Sequence, residues 1–369
     1  MILKNCTFFN EDFKKEYGDI RIENGRIAEI GILAEDGVDM SGKIILPGMV
    51  DIHIHGGGGS DFCDATADAI DNISTYLAKN GVTSFCGTTM TLPHSRLREI
   101  VSVAGSCKPN GAKPVGINLE GPYISKAKCG AQNPEYLRAG SIDEINELLA
   151  INSKVKIITI APEAFDSTEF ITVIKEKCAV AIGHTNADSA QTKKAIDAGA
   201  GHITHLYNAM TPMTHREAGV VGTALDSGVT CELICDGEHI CPAVLRNTFK
   251  ILGKDRAVVI SDSMRGAGLG SGQYELGGQM TYVADGDGVA RLEDGTIAAS
   301  ITNVYQEFKN LISFGIDTET ALRSCTINPA RVIGEDKNIG SIAIGKCADL
   351  IVADEELNIV EVYIDGAIA

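Results

Sequence analysis

The sequence of 369 residues predicts an α/β fold, a (β/α)8 TIM-like barrel with a small β domain built from the N- and C-terminal segments. Three observations support this prediction. Apolar, strand-like runs alternate with helix-like segments through the middle of the chain, residues suited to metal binding follow several of these runs, and both chain ends are rich in β patterns. Alternating strands and helices are typical of a parallel sheet, and a parallel barrel places its active site at the carboxyl ends of its strands.

The N-terminal segment contains a hairpin pattern, and the C-terminal segment has a similar one. Ile20–Glu23 and Arg26–Ile30 alternate in polarity around Asn24-Gly25, a dipeptide that favours the tight turn of a hairpin. Residues 348–352 and 359–364 also read as strands separated by turn residues. The two ends are therefore predicted to pair into one β domain.

The domain boundaries follow from where these patterns change. We predict a small β-sandwich domain from residues 1–47 plus 335–369, and a barrel over residues 48–334. A turn-rich, strand-like segment near 273–294 predicts a hairpin inserted after the last barrel strand. The eight predicted barrel strands lie at 49–54, 82–87, 115–119, 155–160, 179–183, 202–205, 230–235 and 257–261.

Composition excludes some classes of function. An apolar content of 44% supports a sizeable core, and a net charge of −17 argues against nucleic-acid binding, which requires a basic surface. An anionic small substrate stays possible, because local groups decide its binding. We see no signal peptide and no apolar run long enough to cross a membrane. The eleven scattered cysteines are read as reduced thiols of a cytoplasmic protein.

The first barrel strand ends in a histidine pair, His53 and His55. Side chains alternate across a strand, so both imidazoles project to one face and can bind one ion. A chance pair of surface histidines is the alternative explanation. The ends of the other strands decide between the two.

Four further strand ends carry residues of matching chemistry. Glu120 follows the third strand, His184 the fifth, His205 the sixth and Asp262 the eighth. Each has another explanation alone: Glu120 could be a turn residue, His184 a core histidine and Asp262 a helix cap. The agreement of five strand ends favours a metal site. Imidazoles with a carboxylate suit Zn²⁺ or Fe²⁺ better than Mg²⁺ or Ca²⁺.

These motifs resemble those of the N-acetylglucosamine-6-phosphate deacetylase family, within the amidohydrolase superfamily. Some of the matching stretches are shared across amidohydrolases, namely His53-Ile54-His55, Asn328-Pro329-Ala330 and Gly340–Leu350. The stretches Leu206–Met210 and Thr214–Glu217 are more specific to the deacetylases. The resemblance covers nearly the whole chain.

The resemblance implies an enzyme that hydrolyses N-acetylglucosamine 6-phosphate to glucosamine 6-phosphate and acetate in amino-sugar catabolism or recycling. It implies one or two divalent ions per subunit, Zn²⁺ or Fe²⁺. Glu120, His184 and His205 would hold the principal ion, and His53 and His55 would complete a second site that Glu120 bridges. Asp262 would act as the general base and acid.

The resemblance also implies a set of substrate-binding residues. Arg216 offers a bidentate fork for a phosphate and is expected to reach across the interface of a homodimer. Gln132 stands where some relatives have histidine; it can donate a hydrogen bond but cannot titrate. The implied substrate-binding residues are Ala131, Gln132, Asn208, Ala209, Arg216, His239, Ile297, Ala298 and Ala299.

Three other functions remain open from the sequence. The same chemistry could act on the C4 epimer, N-acetylgalactosamine 6-phosphate, and no residue separates the two sugars. A cyclic-amide hydrolase such as a dihydroorotase is a second alternative, although many of those enzymes bridge their metals with a carboxylated lysine rather than a glutamate. The third is an inactive amidohydrolase-like scaffold, although such proteins usually lose metal ligands. The sequence also leaves open which metal is used and how many sites are filled.

Overall fold

The computed structural model describes residues 1–369. Its first five strands belong to the sheet of the small domain. Strand β1 pairs with β2 antiparallel and with β4 and β5 in parallel, and β2 pairs with β3 antiparallel. Asn24 and Gly25 adopt φ values of 52° and 77° in the tight turn between β2 and β3. These strands are β1 (Ile2–Phe9), β2 (Lys15–Glu23), β3 (Arg26–Gly31), β4 (Val38–Asp39) and β5 (Ile44–Pro47).

The next sheet is a barrel of eight parallel strands, which confirms the predicted fold class. It begins with β6 (Met49–Ile54), which is followed by a short hairpin of β7 (Gly56–Gly57) and β8 (Ser60–Asp61). The barrel continues with β9 (Val82–Thr89), β10 (Lys113–Glu120), β11 (Val155–Ile160), β12 (Ala179–Ile182), β13 (His202–Ile203), β14 (Thr230–Leu233) and β15 (Ala257–Val259). Neighbouring strands pair in this order. The Asp262 N–H donates to the His53 carbonyl at 3.0 Å and so connects the last strand end to the first.

Ten α-helices surround or follow these strands. Several begin at capping side chains: at the start of α5, Asp188 and Gln191 form a reciprocal capping box. A cluster of 60 buried apolar residues joins the helices to the outer face of the barrel and forms the main core. The helices are α1 (Ala67–Lys79), α2 (His94–Ser106), α3 (Ile142–Ile151), α4 (Ser167–Ile174), α5 (Ser189–Ala198), α6 (Gly219–Leu225), α7 (Pro242–Arg256), α8 (Val304–Ser313), α9 (Thr318–Cys325) and α10 (Ile327–Val332).

The segment after the eighth barrel strand is larger than the predicted hairpin. It forms a four-stranded antiparallel sheet of β16 (Gly272–Leu276), β17 (Gln279–Val283), β18 (Val289–Arg291) and β19 (Ile297–Ser300). The sequence of β19, Ile-Ala-Ala-Ser, has no alternation of apolar and polar residues, so its strand pattern is weak. The insertion therefore extends to residue 300 rather than ending near 294.

The chain then returns to the first sheet. Strand β20 (Leu350–Ala353) pairs antiparallel with β5, and β21 (Ile359–Ile364) and β22 (Ala367–Ile368) extend the same sheet. The two chain ends therefore share one eight-stranded sheet with its own buried cluster of 13 residues. No helix combines the length and apolar character needed to cross a membrane.

Asn328 fastens α10 to the start of β15. Its buried Nδ2 donates to the carbonyl of Lys254 at 2.9 Å and to that of Ala257 at 2.8 Å. Because Asn328→Ala leaves these carbonyls without their donor, we expect it to lower the free energy of unfolding by about 2 kcal/mol in urea denaturation. The exposed Asn338→Ala is the control and should change it by less than about 0.5 kcal/mol. Equal losses in both variants would contradict this role.

Candidate active site

Four histidines and two carboxylates meet in one buried cluster at the carboxyl ends of the barrel strands. Each of the six residues is at most 9% exposed. They come from the ends of five strands, as the sequence predicts: His53 and His55 from β6, Glu120 from β10, His184 after β12, His205 after β13 and Asp262 after β15.

The Glu120 carboxylate lies at the centre of this cluster. Its Oε1 is 3.0 Å from Nε2 of His184, 2.9 Å from Nε2 of His205 and 3.4 Å from Nε2 of His53. Its Oε2 is 3.3 Å from Nε2 of His55. Glu120 therefore belongs to two groups of three potential ligands, one with His53 and His55 and one with His184 and His205, and the ligand atoms of each group lie within 4.8 Å of one another.

The hydrogen bonds of the outer ring nitrogens test whether this cluster fits a cation. His184 Nδ1 lies 2.9 Å from the Lys128 carbonyl oxygen, and His53 Nδ1 lies 3.0 Å from Glu232 Oε2. Both oxygens only accept, so each Nδ1 donates and the Nε2 of a neutral ring carries a lone pair. These lone pairs face the Glu120 carboxylate, so acceptors face acceptors. A cation between them would interact favourably with both. The residues present therefore fit a divalent metal ion.

Both carboxylates of the cluster favour the ionised state. Burial raises the pKa of Glu120, but His53 and His184 outweigh it and hold this pKa well below its usual range. Burial likewise raises the pKa of Asp262, and the neighbouring His53 and His55 lower it below its ordinary value. A negative Glu120 is what a metal ligand requires, and a negative Asp262 can accept a proton.

Glu232 on β14 supports the cluster from below. Its Oε2 accepts from Nδ1 of His53 at 3.0 Å and from the backbone N–H of His205 at 3.1 Å, and its Oε1 lies 3.1 Å from Nε2 of His202. Glu232 is not among the site residues predicted from the sequence. A signal for it existed, because a glutamate within an apolar strand is rarely buried unless it is paired.

Gln132 lies inside the cluster rather than at its rim. The Thr91 backbone N–H donates to Gln132 Oε1 at 2.6 Å, which identifies the other amide atom as nitrogen. That Nε2 donates to Glu120 Oε2 at 2.6 Å. Gln132 is 2% exposed, so both ends of its amide are committed to the protein.

A cavity of about 440 Å³ opens onto the cluster, a volume suited to a small molecule. At its wall, His239 Nδ1 donates to Asp236 Oδ2 at 2.6 Å, which fixes the ring. Most of the predicted site residues line this cavity: His55, Glu120, Ala131, Gln132, His184, His205, Asn208, Ala209, His239, Asp262, Ile297 and Ala298.

Three predicted site residues do not line the cavity. His53 is completely buried beneath it, Ala299 is buried behind its wall, and Arg216 lies on an exposed loop. The lining residues that the sequence analysis missed include Met90, Lys128, Leu276 and Thr296. Nothing in the sequence separates Lys128 from the neighbouring Lys126, so only the structure identifies it.

The barrel and its cluster of imidazoles and carboxylates define a class of protein, the metal-dependent barrel hydrolases. A sequence model of the amidohydrolase family matches residues 44–369. The chain belongs to the amidohydrolase family, in the branch that contains the N-acetylglucosamine-6-phosphate deacetylases. The resemblance inferred from the motifs is therefore confirmed.

Individual relatives match the chain over its full length. The N-acetylglucosamine-6-phosphate deacetylase of Bacillus subtilis (strain 168) is 35% identical, with 100% of this chain and 97% of the relative aligned. The N-acetylgalactosamine-6-phosphate deacetylase of Escherichia coli O157:H7 is 33% identical, with 100% and 99% aligned. A mutant N-acetyl-D-glucosamine-6-phosphate deacetylase of Mycobacterium smegmatis, solved with N-acetyl-D-glucosamine-6-phosphate, has a TM-score of 0.92 and 32% identity, covering 100% of this chain and 98% of that one.

The position of Glu232 leads to a prediction about metal affinity. Glu232→Gln keeps the size of the side chain but removes one of the acceptors that hold His53 and His205, so the ring of His53 loses its fixed orientation. We expect the affinity for a divalent metal ion to fall roughly 10- to 100-fold, measured by calorimetric titration of chelator-treated protein. The exposed Glu238→Gln is the matched control. Unchanged affinity in Glu232→Gln would exclude this orienting role.

Proposed function

We propose that the protein is a metal-dependent deacetylase that hydrolyses N-acetylglucosamine 6-phosphate to glucosamine 6-phosphate and acetate, in amino-sugar catabolism or recycling. The observation that carries this proposal is the cluster around Glu120 at the floor of a cavity of about 440 Å³. Full-length similarity to named deacetylases supports the same substrate class.

The proposed cofactor is one or two divalent ions per subunit, Zn²⁺ or Fe²⁺. Glu120, His184 and His205 would hold the principal ion, and His53 and His55 would hold a second ion with Glu120 shared between the sites. A divalent ion in such a site lowers the pKa of a bound water towards ~7 and polarises an amide carbonyl.

Asp262 is the proposed general base and acid. Its side chain borders the cavity, and its Oδ1 lies 3.3 Å from Nε2 of His55 and 3.5 Å from Nε2 of His53. This position places an acceptor beside the metal ligands. Asp262 takes the proton of the attacking water and delivers it to the amine nitrogen as the carbon–nitrogen bond breaks.

The walls of the cavity supply the proposed substrate contacts. His239, whose ring is held by Asp236, would orient the acetamide, and Asn208 and Ala209, on the loop after β13, would contact the substrate from the same cavity. The remaining proposed contacts are Ala131, Gln132, Ile297 and Ala298, which line the cavity, and Ala299, which is buried behind its wall.

Arg216 is proposed to act between subunits. It lies on an exposed loop and does not line the cavity of its own subunit, which is compatible with binding the phosphate of a substrate held by the partner in a homodimer. We further propose a cytoplasmic location, because all eleven cysteines are free thiols, as is usual in a reducing compartment.

The C4 epimer is the second candidate substrate, because the E. coli O157:H7 relative is named for N-acetylgalactosamine 6-phosphate. We expect acetate release from N-acetylglucosamine 6-phosphate to exceed release from the galacto epimer and from both unphosphorylated sugars. Coupled acetate assays of all four compounds, with elemental analysis of the purified protein, test this order. A preference for the galacto epimer would reassign the substrate, and absence of acetate from every sugar would overturn the deacetylase proposal.

Asp262→Asn tests the proposed proton transfers. The amide keeps the shape of the side chain but cannot accept the proton, so kcat should fall by roughly 10²- to 10⁴-fold while the metal content stays that of the wild type. Steady-state kinetics and elemental analysis measure the two quantities. Asp226→Asn, at an exposed position, is the control. Near wild-type turnover in Asp262→Asn would remove Asp262 from the chemistry.

A further inference from the structure

Lys128 is the only lysine or arginine among the residues that line the active-site cavity. The other ionisable residues of the lining are Glu120, Asp262 and four histidines, His55, His184, His205 and His239. Lys128 closes the short 3-10 helix Lys126–Lys128, which lies between β10 and α3. The cavity therefore contains a single permanent cation from its own subunit.

The backbone of Lys128 is fixed against the metal-ligand cluster. Its carbonyl accepts the hydrogen bond of His184 Nδ1 at 2.9 Å. Two residues further on, Gly130 turns the chain at φ 58°, and a Cβ built there would lie 3.5 Å from His184 Cε1. The loop is thus packed on a ligand, and the position of Lys128 relative to the reacting centre is set by the protein.

The ammonium group of Lys128 has no partner within the protein. Lys128 is half-buried, yet no carboxylate forms an ion pair with it and its Nζ makes no hydrogen bond, whereas nearby residues such as Arg138 are paired with Glu144. A cation that has no counter-charge in the protein and lies beside a cavity attracts anions towards that cavity. The arrangement favours an anionic ligand.

The substrate class supplies that anion. A phosphate monoester carries about −1.5 to −2 charges at neutral pH, and it must enter a cavity that already holds two carboxylates in a protein of net charge −17. Arg216 does not line this cavity, so it cannot neutralise the phosphate within one subunit. Lys128 is the group that can.

We propose that Lys128 binds the phosphate of the substrate within the subunit that holds its acetamide. This inference rests on the proposed function, and it makes Lys128 a residue that selects phosphorylated over neutral N-acetylhexosamines. A lysine acts here as a point charge rather than as a bidentate fork, and so it supplements a guanidinium contribution from a partner subunit.

The test compares Lys128→Met with Lys126→Met, a change of an exposed lysine in the same short helix that does not line the cavity. For Lys128→Met we expect KM for N-acetylglucosamine 6-phosphate to rise roughly 10- to 100-fold, because a hydrogen bond to a charged group is lost. The kcat/KM for unphosphorylated N-acetylglucosamine should stay within about twofold. Lys126→Met should match the wild type, and Lys128→Arg should recover most of the loss.

Equal losses on both sugars in Lys128→Met, or the same loss in Lys126→Met, would overturn the proposal. Metal content and melting temperature, measured on every variant, separate a binding defect from a folding defect, and Lys128→Arg provides a second readout if Lys128→Met is unstable. If the wild type releases no acetate from any sugar, the deacetylase function fails instead. In that case the affinity for N-acetylglucosamine 6-phosphate, measured by calorimetry, tests the role of Lys128. Weaker binding by Lys128→Met than by the wild type supports this role, and equal binding overturns it.

Discussion

The Glu120 carboxylate makes the close contacts that hold the four histidines of the site together, at 2.9 to 3.4 Å from each Nε2. A buried carboxylate is unfavourable unless hydrogen bonds or opposite charges compensate it. Gln132 supplies one such hydrogen bond to Oε2, and the neighbouring imidazoles His53 and His184 favour the ionised carboxylate by lowering its pKa. A cation between the Glu120 carboxylate and the histidine rings, either protons or a metal ion, therefore stabilises this cluster.

The histidine orientations around Glu120 also determine contacts outside the cluster. Because the lone pairs of His53 and His184 must face inward, their outer nitrogens need acceptors, and Glu232 and the Lys128 carbonyl provide them. Glu232 also holds the backbone of His205, so one carboxylate on β14 connects ligands from both halves of the site. The same region closes the barrel, since the N–H of Asp262 bonds the carbonyl of His53. The same hydrogen bond therefore joins the last strand end to the first and holds the Asp262 backbone beside that of His53.

The sequence predicts the strand-end residues well because a barrel converts strand order into proximity, and a simple alternation rule places His53 and His55 together. The local backbone is harder to foresee. His184, His205 and Asp262 adopt φ values of 45°, 27° and 47°, a region that residues other than glycine rarely enter. The strand predicted over 202–205 ends at Ile203, so His205 is aimed by this turn rather than by strand alternation. Such conformations depend on tertiary contacts, and no pattern in the chain specifies them.

The role of Gln132 depends on a contact that sequence reasoning does not reach. A ring nitrogen at this position could serve as a ligand, but the amide oxygen of Gln132 is already occupied by the Thr91 N–H and its nitrogen has no lone pair to offer. The amide nitrogen instead donates a hydrogen bond to Glu120 Oε2, the oxygen that faces His55. His55 therefore faces a carboxylate oxygen that already accepts from Gln132, whereas Oε1, which faces His184, His205 and, at 3.4 Å, His53, accepts no amide hydrogen bond. This asymmetry favours the His184–His205 side over the His53–His55 side as a candidate metal site.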